Sequence, residues 1–330
     1  MSPSAGSDAS ALDLLTAYQH SAVVAAAGLT GIAETMYAGE RDAGAIADRA
    51  NLNPRAVRGL IGAMVALGLA EAVDGGHALT DTGAPIARSH PESIFGVIGK
   101  EWFFYKVWGE LPEAMSDGRA RIDPWRKRLG EDPEQALGFL SALDDLANMF
   151  GDELPGLAAL DTGGRMLDVG GGAGSHAARL ADAVDGLDVT VLDLPDVEPL
   201  LQERHPEVAF VAGDLEASRF GRPDGEEWDA LLLANILHDH DAGRCREILA
   251  EAGRLLRPGG TILLYEWVLD DDRDSPPAVA LFDVMMMVEN DGGAAWTDGE
   301  IREFLASAGF ENVTVARGFG PIAAVKAVKG

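Results

Sequence analysis

Short apolar runs alternate with amphipathic helical stretches from Arg165 onward, and no other feature of the sequence limits its possible folds as strongly. This alternation is typical of a parallel sheet whose strands are joined by crossover helices. Five runs predict successive strands: RMLDVG, DVTVLDL, VAFVAG, DALLLAN and GTILLYEWV. Two more, NVTVAR and IAAVKAV, follow a predicted helix around Asp298 to Ser307 and predict a β-hairpin. The sequence therefore predicts an α/β domain with a seven-stranded sheet.

The region before this sheet, from about Leu12 to Phe150, has apolar residues at helical spacing and is predicted to be mostly α. Within it, residues 42–83 read as helix, turn, helix and then two short extended pieces, AEAV and HALT, joined by a glycine turn. That order predicts a winged helix. Further upstream, the run AVVAAAGLTGIA predicts one packed helix, which is too short to span a membrane.

The charge balance limits the partners of the protein. The sequence has 54 acidic and 26 basic residues, which gives a net charge of -28. A surface this negative repels phosphate backbones and anionic lipid headgroups. The second helix of the predicted winged helix offers only Arg55 and Arg58 as cations. We therefore expect neither nucleic acid nor a membrane as a partner, and a DNA-binding regulator is an alternative that the charge opposes.

Two features predict a cytoplasmic location. No Lys or Arg precedes Arg41, whereas a secretory signal needs a positively charged start. Cys245 is the only cysteine, so no intrachain disulfide can form, which fits a reducing compartment. Its helical spacing from Ile248, Leu249 and Leu256 predicts a small buried residue rather than a reactive thiol.

A glycine-rich turn after the first predicted strand is the strongest local signal. In LDVGGGAGSH, Gly170, Gly172 and Gly174 leave room where side chains would block a bound ligand. The spacing is G-x-G-x-G, because Ser175 stands where a dinucleotide site prefers its third glycine. Such a turn alone also serves to pack a helix against a sheet.

Two carboxylates at later strand ends favour a nucleoside-containing cofactor. Asp193 ends the second strand, 23 residues after Gly170, where it can accept hydrogen bonds from both ribose hydroxyls. Asp214 follows the third strand and can accept from an adenine amino group, while Leu215 can cover the ring. A turn-capping role for Asp214 stays open, but the three features in this order predict a cofactor site.

These motifs, with others along the chain, carry a family resemblance. Nearly the whole chain resembles small-molecule S-adenosylmethionine-dependent O-methyltransferases of the plant caffeic acid and bacterial polyketide type. The resemblance rests on the winged helix and on the segments DVGGGAG, LDLPDV, GDLE, NILHDHD, LRPGGTILLYEWV and MMMVENDGGAAWTDGEI. The resemblance implies a Rossmann-like seven-stranded methyltransferase sheet with an α-helical winged-helix N-terminal dimerisation domain. It also implies S-adenosyl-L-methionine as cofactor, S-adenosyl-L-homocysteine as product, a small-molecule substrate and a homodimer.

The resemblance further implies a division of the chain and a set of cofactor contacts. The expected parts are residues 1–100 for dimerisation, 101–160 as a helical linker lining the substrate pocket, and 161–330 for cofactor binding. Ala234 falls where plant members carry a lysine beside the adenine, so that contact is absent. The residues expected to bind the cofactor are Asp168, Gly170, Gly172, Gly174, Asp193, Leu194, Asp214, Leu215 and Asn235.

His238 is the candidate general base. It follows the fourth predicted strand, at the carboxyl edge where ligands bind in doubly wound sheets. Glu266 ends the neighbouring fifth strand and can orient His238 and stabilise its imidazolium. In the resembling family, the matching histidine of the HD motif is the base and an acid stands at the position of Glu266. We expect no metal, since His238 and His240 are the only close histidine pair.

One departure from the family leaves the reaction open. Plant members place a second glutamate two residues after a Gly-Gly pair, whereas Gly292 and Gly293 are followed by Ala294 and Ala295. Some bacterial relatives with similar losses still methylate, while others keep the cofactor for different chemistry. The alternatives to O-methylation are therefore C- or N-methylation, and non-methylating hydroxylation or pericyclic chemistry.

The expected substrate pocket draws on helices with aromatic and apolar residues on one face: Trp102, Phe139, Leu143, Leu146, Met286 and Asn290. In another fold most of these would be plain core. Flat apolar walls favour an aromatic or polycyclic acceptor. The long N-terminal helices resemble interlocking segments of the family, which implies that a residue near His20 enters the partner's pocket.

Overall fold

The computed structural model describes residues 10–150, 153–160, 163–223 and 225–330. The chain forms two compact units that divide between Lys106 and Val107. This division falls inside the helix Phe95–Trp108, a few residues beyond the boundary expected at residue 100. The second unit holds most of the predicted linker together with the sheet, so the separation of those two parts stays a prediction.

The first unit is helical apart from one hairpin. Its helices are α1 Ala11–Thr16, α2 Tyr18–Leu29, α3 Ile32–Tyr37, α4 Ala43–Ala50, α5 Pro54–Ala66 and the start of α6 Phe95–Trp108. Strands β1 Ala70–Val73 and β2 Gly76–Leu79 pair antiparallel, which confirms the predicted helix, turn, helix and hairpin order. Asn53 caps α5 because its side chain accepts from the backbone N–H groups of Arg55 and Ala56. The core of this unit is built on Ile46, Val57, Ile61 and Met64.

The prediction of one helix over AVVAAAGLTGIA is wrong. The structure ends α2 at Leu29 and begins α3 at Ile32. Gly31 separates them with a φ of 77°, a left-handed conformation that suits glycine and interrupts the helical hydrogen bonding. The uninterrupted run of small apolar residues hid this break.

The second unit continues with α7 Leu111–Asp117, α8 Trp125–Glu131, α9 Pro133–Phe150, α10 Leu154–Ala158, α11 Ser175–Ala183, α12 Glu198–Arg204, α13 Ala242–Leu255, α14 Pro277–Glu289 and α15 Asp298–Ser307. Its strands are β3 Gly164–Val169, β4 Leu187–Asp193, β5 Ala209–Ala212, β6 Trp228–Ala234, β7 Leu256–Leu269, β8 Trp296–Thr297, β9 Phe310–Arg317 and β10 Ile322–Lys329. In the part of the chain that the structure describes, no helix is both long and apolar enough to cross a bilayer.

The sheet of the second unit has the strand order β5-β4-β3-β6-β7-β10-β9. Its first five strands are parallel, and β10 and β9 join β7 antiparallel as the predicted hairpin. The seven predicted strands are thus confirmed, and the two-residue strand β8 is an addition that pairs with β7. Cys245 is fully buried in the core between α13 and the sheet, as its spacing predicted. Because parallel strands share one carboxyl edge, the loops after β3, β4, β6 and β7 meet there.

Candidate active site

A buried histidine and glutamate lie at this carboxyl edge. His238 is in a short 3-10 turn, Leu237–Asp239, directly after β6, and Glu266 is on the adjacent strand β7. The Nδ1 atom of His238 is 2.8 Å from Oε2 of Glu266. The other oxygen of Glu266 accepts from the backbone N–H groups of Ile236 and Leu237 at 2.7 Å. The carboxylate therefore holds both the histidine and its loop. In the neutral form of the ring this contact favours the proton on Nδ1, so that Nε2 can accept another.

Further carboxylates act on His238 from the opposite side. Oδ1 of Asp239 lies 3.6 Å from Nε2 of His238 and accepts a hydrogen bond of 2.6 Å from the amide of Asn290. Burial of His238 works against its charged form, but the carboxylates of Glu266, Asp239 and Glu289 outweigh burial and raise its pKa to about 9. Asp239 is the aspartate of the HD motif, whereas no sequence motif indicated Glu289.

Apolar groups complete the surroundings of the histidine. The ring of Phe282 meets His238 edge-on, with 4.9 Å between centroids, and stacks on Trp267 at 4.3 Å. Ala295, at the position of the missing second glutamate, is fully buried in the apolar cluster that contains Phe282 and Met286. The site thus combines a buried histidine with two stacked aromatic rings.

The glycine turn after β3 has the backbone that the sequence implied. Gly170, Gly172 and Gly174 all have positive φ, and a Cβ on Gly170 would lie 2.6 Å from Cδ1 of Ile236. Asp193, at the end of β4, holds the turn because Oδ2 accepts from the N–H of Gly172 at 2.9 Å and Oδ1 accepts from the N–H of Leu194 at 2.7 Å. The structure therefore brings the expected turn and the expected ribose-binding carboxylate together.

Two buried polar groups beside this turn have no partner among the described residues. Both carboxyl oxygens of Asp168 are buried without a hydrogen bond, and so is Oδ1 of Asn235. Burial, with the nearby charge of Asp193, raises the pKa of Asp168 to about 8. Because buried polar atoms are costly unless they are hydrogen-bonded, these acceptors suit the ammonium, amino and hydroxyl donors of the expected cofactor. The residues present thus fit S-adenosylmethionine.

A cavity of about 540 Å³ lies between α8 and the loops that follow β4 and β5, and its lining includes Leu129 on α8, Leu194 and Asp214. Arg126, also on α8, lines it and donates to Oδ1 of Asp214, which accepts a second hydrogen bond of 2.8 Å from the N–H of Glu216. Leu215 packs against the core beside the sheet. Arg126, which no sequence motif indicated, brings a cation to this carboxylate. The lysine expected from plant members is absent, because Ala234 stands at its position.

Asp144 fixes helix α9 to the end of the glycine turn. This side chain is 3% exposed, accepts from the hydroxyl of Ser175 at the start of α11, and lies 3.3 Å from Nε2 of His205. The same helix carries three of the expected substrate residues: half-buried Phe139 and Leu146, and Leu143, which is 38% exposed. Their contact with substrate stays a prediction.

The other expected substrate residues lie in different surroundings. Asn290 holds Asp239 and so reaches the neighbourhood of His238. Met286 is only 1% exposed, inside the apolar cluster of α14. Trp102 belongs to the first unit, where it stacks on Tyr105 at 4.8 Å and packs against that unit's core. Roles for Met286 and Trp102 in substrate binding therefore stay predictions. Among the residues described, no group of three or more His, Cys, Asp or Glu side chains could hold a metal ion.

Comparison with known proteins gives consistent similarities. Residues 108–311 match the family model of the O-methyltransferase domain. The chain is 32% identical over 327 residues to 3-hydroxy-5-methyl-1-naphthoate 3-O-methyltransferase of Streptomyces sahachiroi, which covers 96% of this chain and 94% of that protein. It is 30% identical to the tetracenomycin polyketide synthesis 8-O-methyl transferase TcmO of Streptomyces glaucescens, with 84% of each chain covered. The crystal structure of human N-acetylserotonin methyltransferase in complex with SAM has a TM-score of 0.83, 25% identity, and coverage of 98% of this chain and 99% of that chain.

Proposed function

This chain belongs to the O-methyltransferase domain family and is an S-adenosylmethionine-dependent O-methyltransferase, and from this premise we propose that it methylates a hydroxyl of an aromatic or polyketide-like metabolite with His238 as general base. The observation that carries the proposal is the buried pair of His238 and Glu266, with 2.8 Å between Nδ1 and Oε2 at the carboxyl edge of the sheet. The stacked Phe282 and Trp267 beside it support a flat acceptor. The two bacterial relatives are named for polyketide synthesis and for a naphthoate substrate, which supports the same class.

The chain's own residues prepare the acceptor oxygen for the reaction. When bound, S-adenosylmethionine would supply an activated methyl group, with S-adenosylhomocysteine as the leaving group. Nε2 of His238 takes the hydroxyl proton as the new oxygen–carbon bond forms. Glu266 keeps the imidazole in one orientation and stabilises the positive charge that the ring gains. The acidic neighbours that raise the pKa of His238 to about 9 bring its basicity close to that of a phenol, which has a pKa of ~10.

The proposal is tested by supplying S-adenosylmethionine with a labelled methyl group and a panel of phenols, naphthols and hydroxyanthraquinones. We expect labelled methyl ethers, with S-adenosylhomocysteine formed in equal amount. Label bound to carbon or nitrogen would instead support the other methylation chemistries. Conversion of an acceptor without formation of S-adenosylhomocysteine would support a non-methylating reaction.

The pH dependence of the rate follows from the charge of His238. Only neutral imidazole can accept the hydroxyl proton, and a pKa raised to about 9 means that the free enzyme holds His238 mainly as imidazolium at neutral pH. We expect kcat/KM to rise about tenfold per pH unit below this pKa and to level off above it. The measurement is a pH profile of kcat/KM with two phenols of different acidity. If the rising part of the profile reports the pKa of His238, it stays at the same pH when the acceptor changes. A profile that is flat across this range would contradict the assignment of the base.

We further propose that the enzyme is a homodimer joined through its N-terminal helices. Three leucines of α1 are largely exposed in the single chain: Leu12 at 67%, Leu14 at 68% and Leu15 at 71%. Such a patch on one short helix is typical of a surface that another chain covers. The acidic protein is expected to work in the cytoplasm, which its single buried cysteine fits.

The dimer proposal predicts the effect of a charge in the leucine patch. Leu15→Glu should raise the dissociation constant of the dimer by at least roughly tenfold. The interface would bury less apolar surface, and dimerisation would have to remove water from the new carboxylate. Light scattering over a dilution series measures this. Met115→Glu on α7 of the second unit, where Met115 is 60% exposed, is the matched control and should leave the dimer intact. A wild-type protein that is monomeric at micromolar concentration would overturn the proposal.

A further inference from the structure

Arg128 on α8 is a half-buried cation that no acceptor satisfies. Among the described residues it has neither a side-chain hydrogen bond nor an ion pair within 4.0 Å, and its Nε atom is buried without a partner. Both neighbours on the helix are satisfied, since Arg126 pairs with Asp214 and Lys127 lies 3.0 Å from Asp123. Among the cations of α8, only Arg128 therefore has no anionic partner in the described part of the chain.

Two aromatic rings hold the guanidinium in place. Its Cζ atom is 5.4 Å from the ring centre of Trp125 and 5.3 Å from that of Phe139. Cation–π contacts of this kind attract the charge and fix the plane of the group, but they use none of its five N–H donors. Burial lowers the pKa of Arg128, and the carboxylates of Glu289, Asp239 and Asp123 only partly offset this. The group is thus prepared for an acceptor that the described protein residues do not provide.

The surroundings of Arg128 point to the acceptor side of the site. The segment that leads into α8 is bound to the end of α14, because the N–H of Arg121 donates to the carbonyl of Val288 and the N–H of Ala120 donates to Oδ1 of Asp291, both at 2.7 Å. Asn290, which lies between Val288 and Asp291 in the chain, donates to Asp239 beside His238. Phe139, one of its two ring neighbours, is also one of the residues expected to face the substrate.

We propose that Arg128 binds a carboxylate of the acceptor, so that the natural substrate is an aromatic hydroxy acid rather than a neutral phenol. A planar guanidinium binds a carboxylate through two parallel N–H···O hydrogen bonds, and this pairing gives both strength and orientation. The rings of Trp125 and Phe139 would flank the aromatic part of the same molecule. The inference rests on the proposed function, because it names the class of acceptor for the same reaction.

Calorimetry on the enzyme loaded with S-adenosylhomocysteine tests this with ligands that differ only in the carboxylate. The probes are 2-naphthol, 3-hydroxy-1-naphthoate and 3-hydroxy-2-naphthoate. We expect wild-type enzyme to bind one of the hydroxynaphthoates at least roughly tenfold more tightly than 2-naphthol. Arg128→Met should abolish that preference and leave the affinity for 2-naphthol within about twofold. Arg128→Lys, which keeps the charge but not the planar fork, should retain part of the preference, while Lys127→Met is the matched control and should retain all of it.

The outcomes separate this inference from the proposed function. If 2-naphthol and both hydroxynaphthoates bind wild-type enzyme equally, the inference is wrong and the O-methylation of phenols is unaffected. If no hydroxyarene binds, the proposed acceptor class fails and the inference fails with it. A second titration compares S-adenosylhomocysteine with 5′-methylthioadenosine, which lacks the amino acid part. If Arg128→Met weakens only the former, Arg128 binds the carboxylate of the cofactor and its assignment to the acceptor is overturned.

Discussion

Replacing His238 by alanine should lower kcat for methyl transfer by about 10²- to 10⁴-fold, which is the usual contribution of a positioned general base. The loss is large because an acceptor hydroxyl with a pKa of ~10 is only about 0.1% ionised at neutral pH without a base. Single-turnover measurement of labelled methyl transfer gives this effect directly, since it separates the chemical step from product release. Glu266→Gln should cause a smaller loss in kcat. It should also move the rising limb of the pH profile to lower pH, because the carboxylate stabilises the charged form of His238.

A matched control lies two residues away. His240 is half-buried on the same loop, and no proposed step uses its side chain, so His240→Ala should keep most of the rate. The His238→Ala protein should also bind S-adenosylhomocysteine with unchanged affinity, which shows that the fold and the cofactor site survive. If His238→Ala kept full activity toward every acceptor, the base would have to be another group or no base at all.

The sheet could be predicted from the sequence because its signals are local. Each predicted parallel strand contains a run of branched apolar residues, and a glycine, an aspartate or a histidine lies at or within a few residues of its carboxyl end. Strand order then places Glu266 beside the loop of His238, so this pair was accessible to sequence reasoning. The break at Gly31 was not, because the residues on both sides of it are small and apolar and continue the same pattern.

Long side chains mark the limit of prediction in the site. No local pattern in WRKRLGE indicates the partners of its cations, yet the fold places Arg126 against Asp214 and Arg128 against two aromatic rings. Helical spacing likewise identifies one face of α14 but does not distinguish core from pocket. Met286 is almost fully buried on that helix, while Asn290, one turn later, reaches Asp239. The direction of these side chains depends on tertiary contacts that no local pattern contains.

Replacing Asp193 by alanine should weaken binding of S-adenosylmethionine by about 10²- to 10⁴-fold. If the carboxylate accepts hydrogen bonds from both ribose hydroxyls, each is a bond to a charged group worth about 1.5 to 3 kcal/mol, and both are lost together. The side chain also holds the N–H groups of Gly172 and Leu194, so its removal loosens the glycine turn that the cofactor must approach. Calorimetric titration with S-adenosylmethionine and with S-adenosylhomocysteine measures the effect without catalysis.

The contributions of Asp193 to the ribose and to the turn can be separated. Asp193→Asn keeps the shape and one acceptor oxygen, so it should bind the cofactor more tightly than the alanine variant and more weakly than wild type. Asp188→Ala changes an exposed carboxylate at the far end of the same strand and should leave the affinity unaltered. The 2′-deoxy analogue of S-adenosylhomocysteine lacks one ribose hydroxyl. Wild-type enzyme should bind this analogue more weakly than S-adenosylhomocysteine, whereas Asp193→Ala should bind the two with similar affinity, because the partner of that hydroxyl is already gone. Equal losses in both proteins would mean that Asp193 acts only on the turn, and unaltered affinity in Asp193→Ala would remove this residue from the cofactor site.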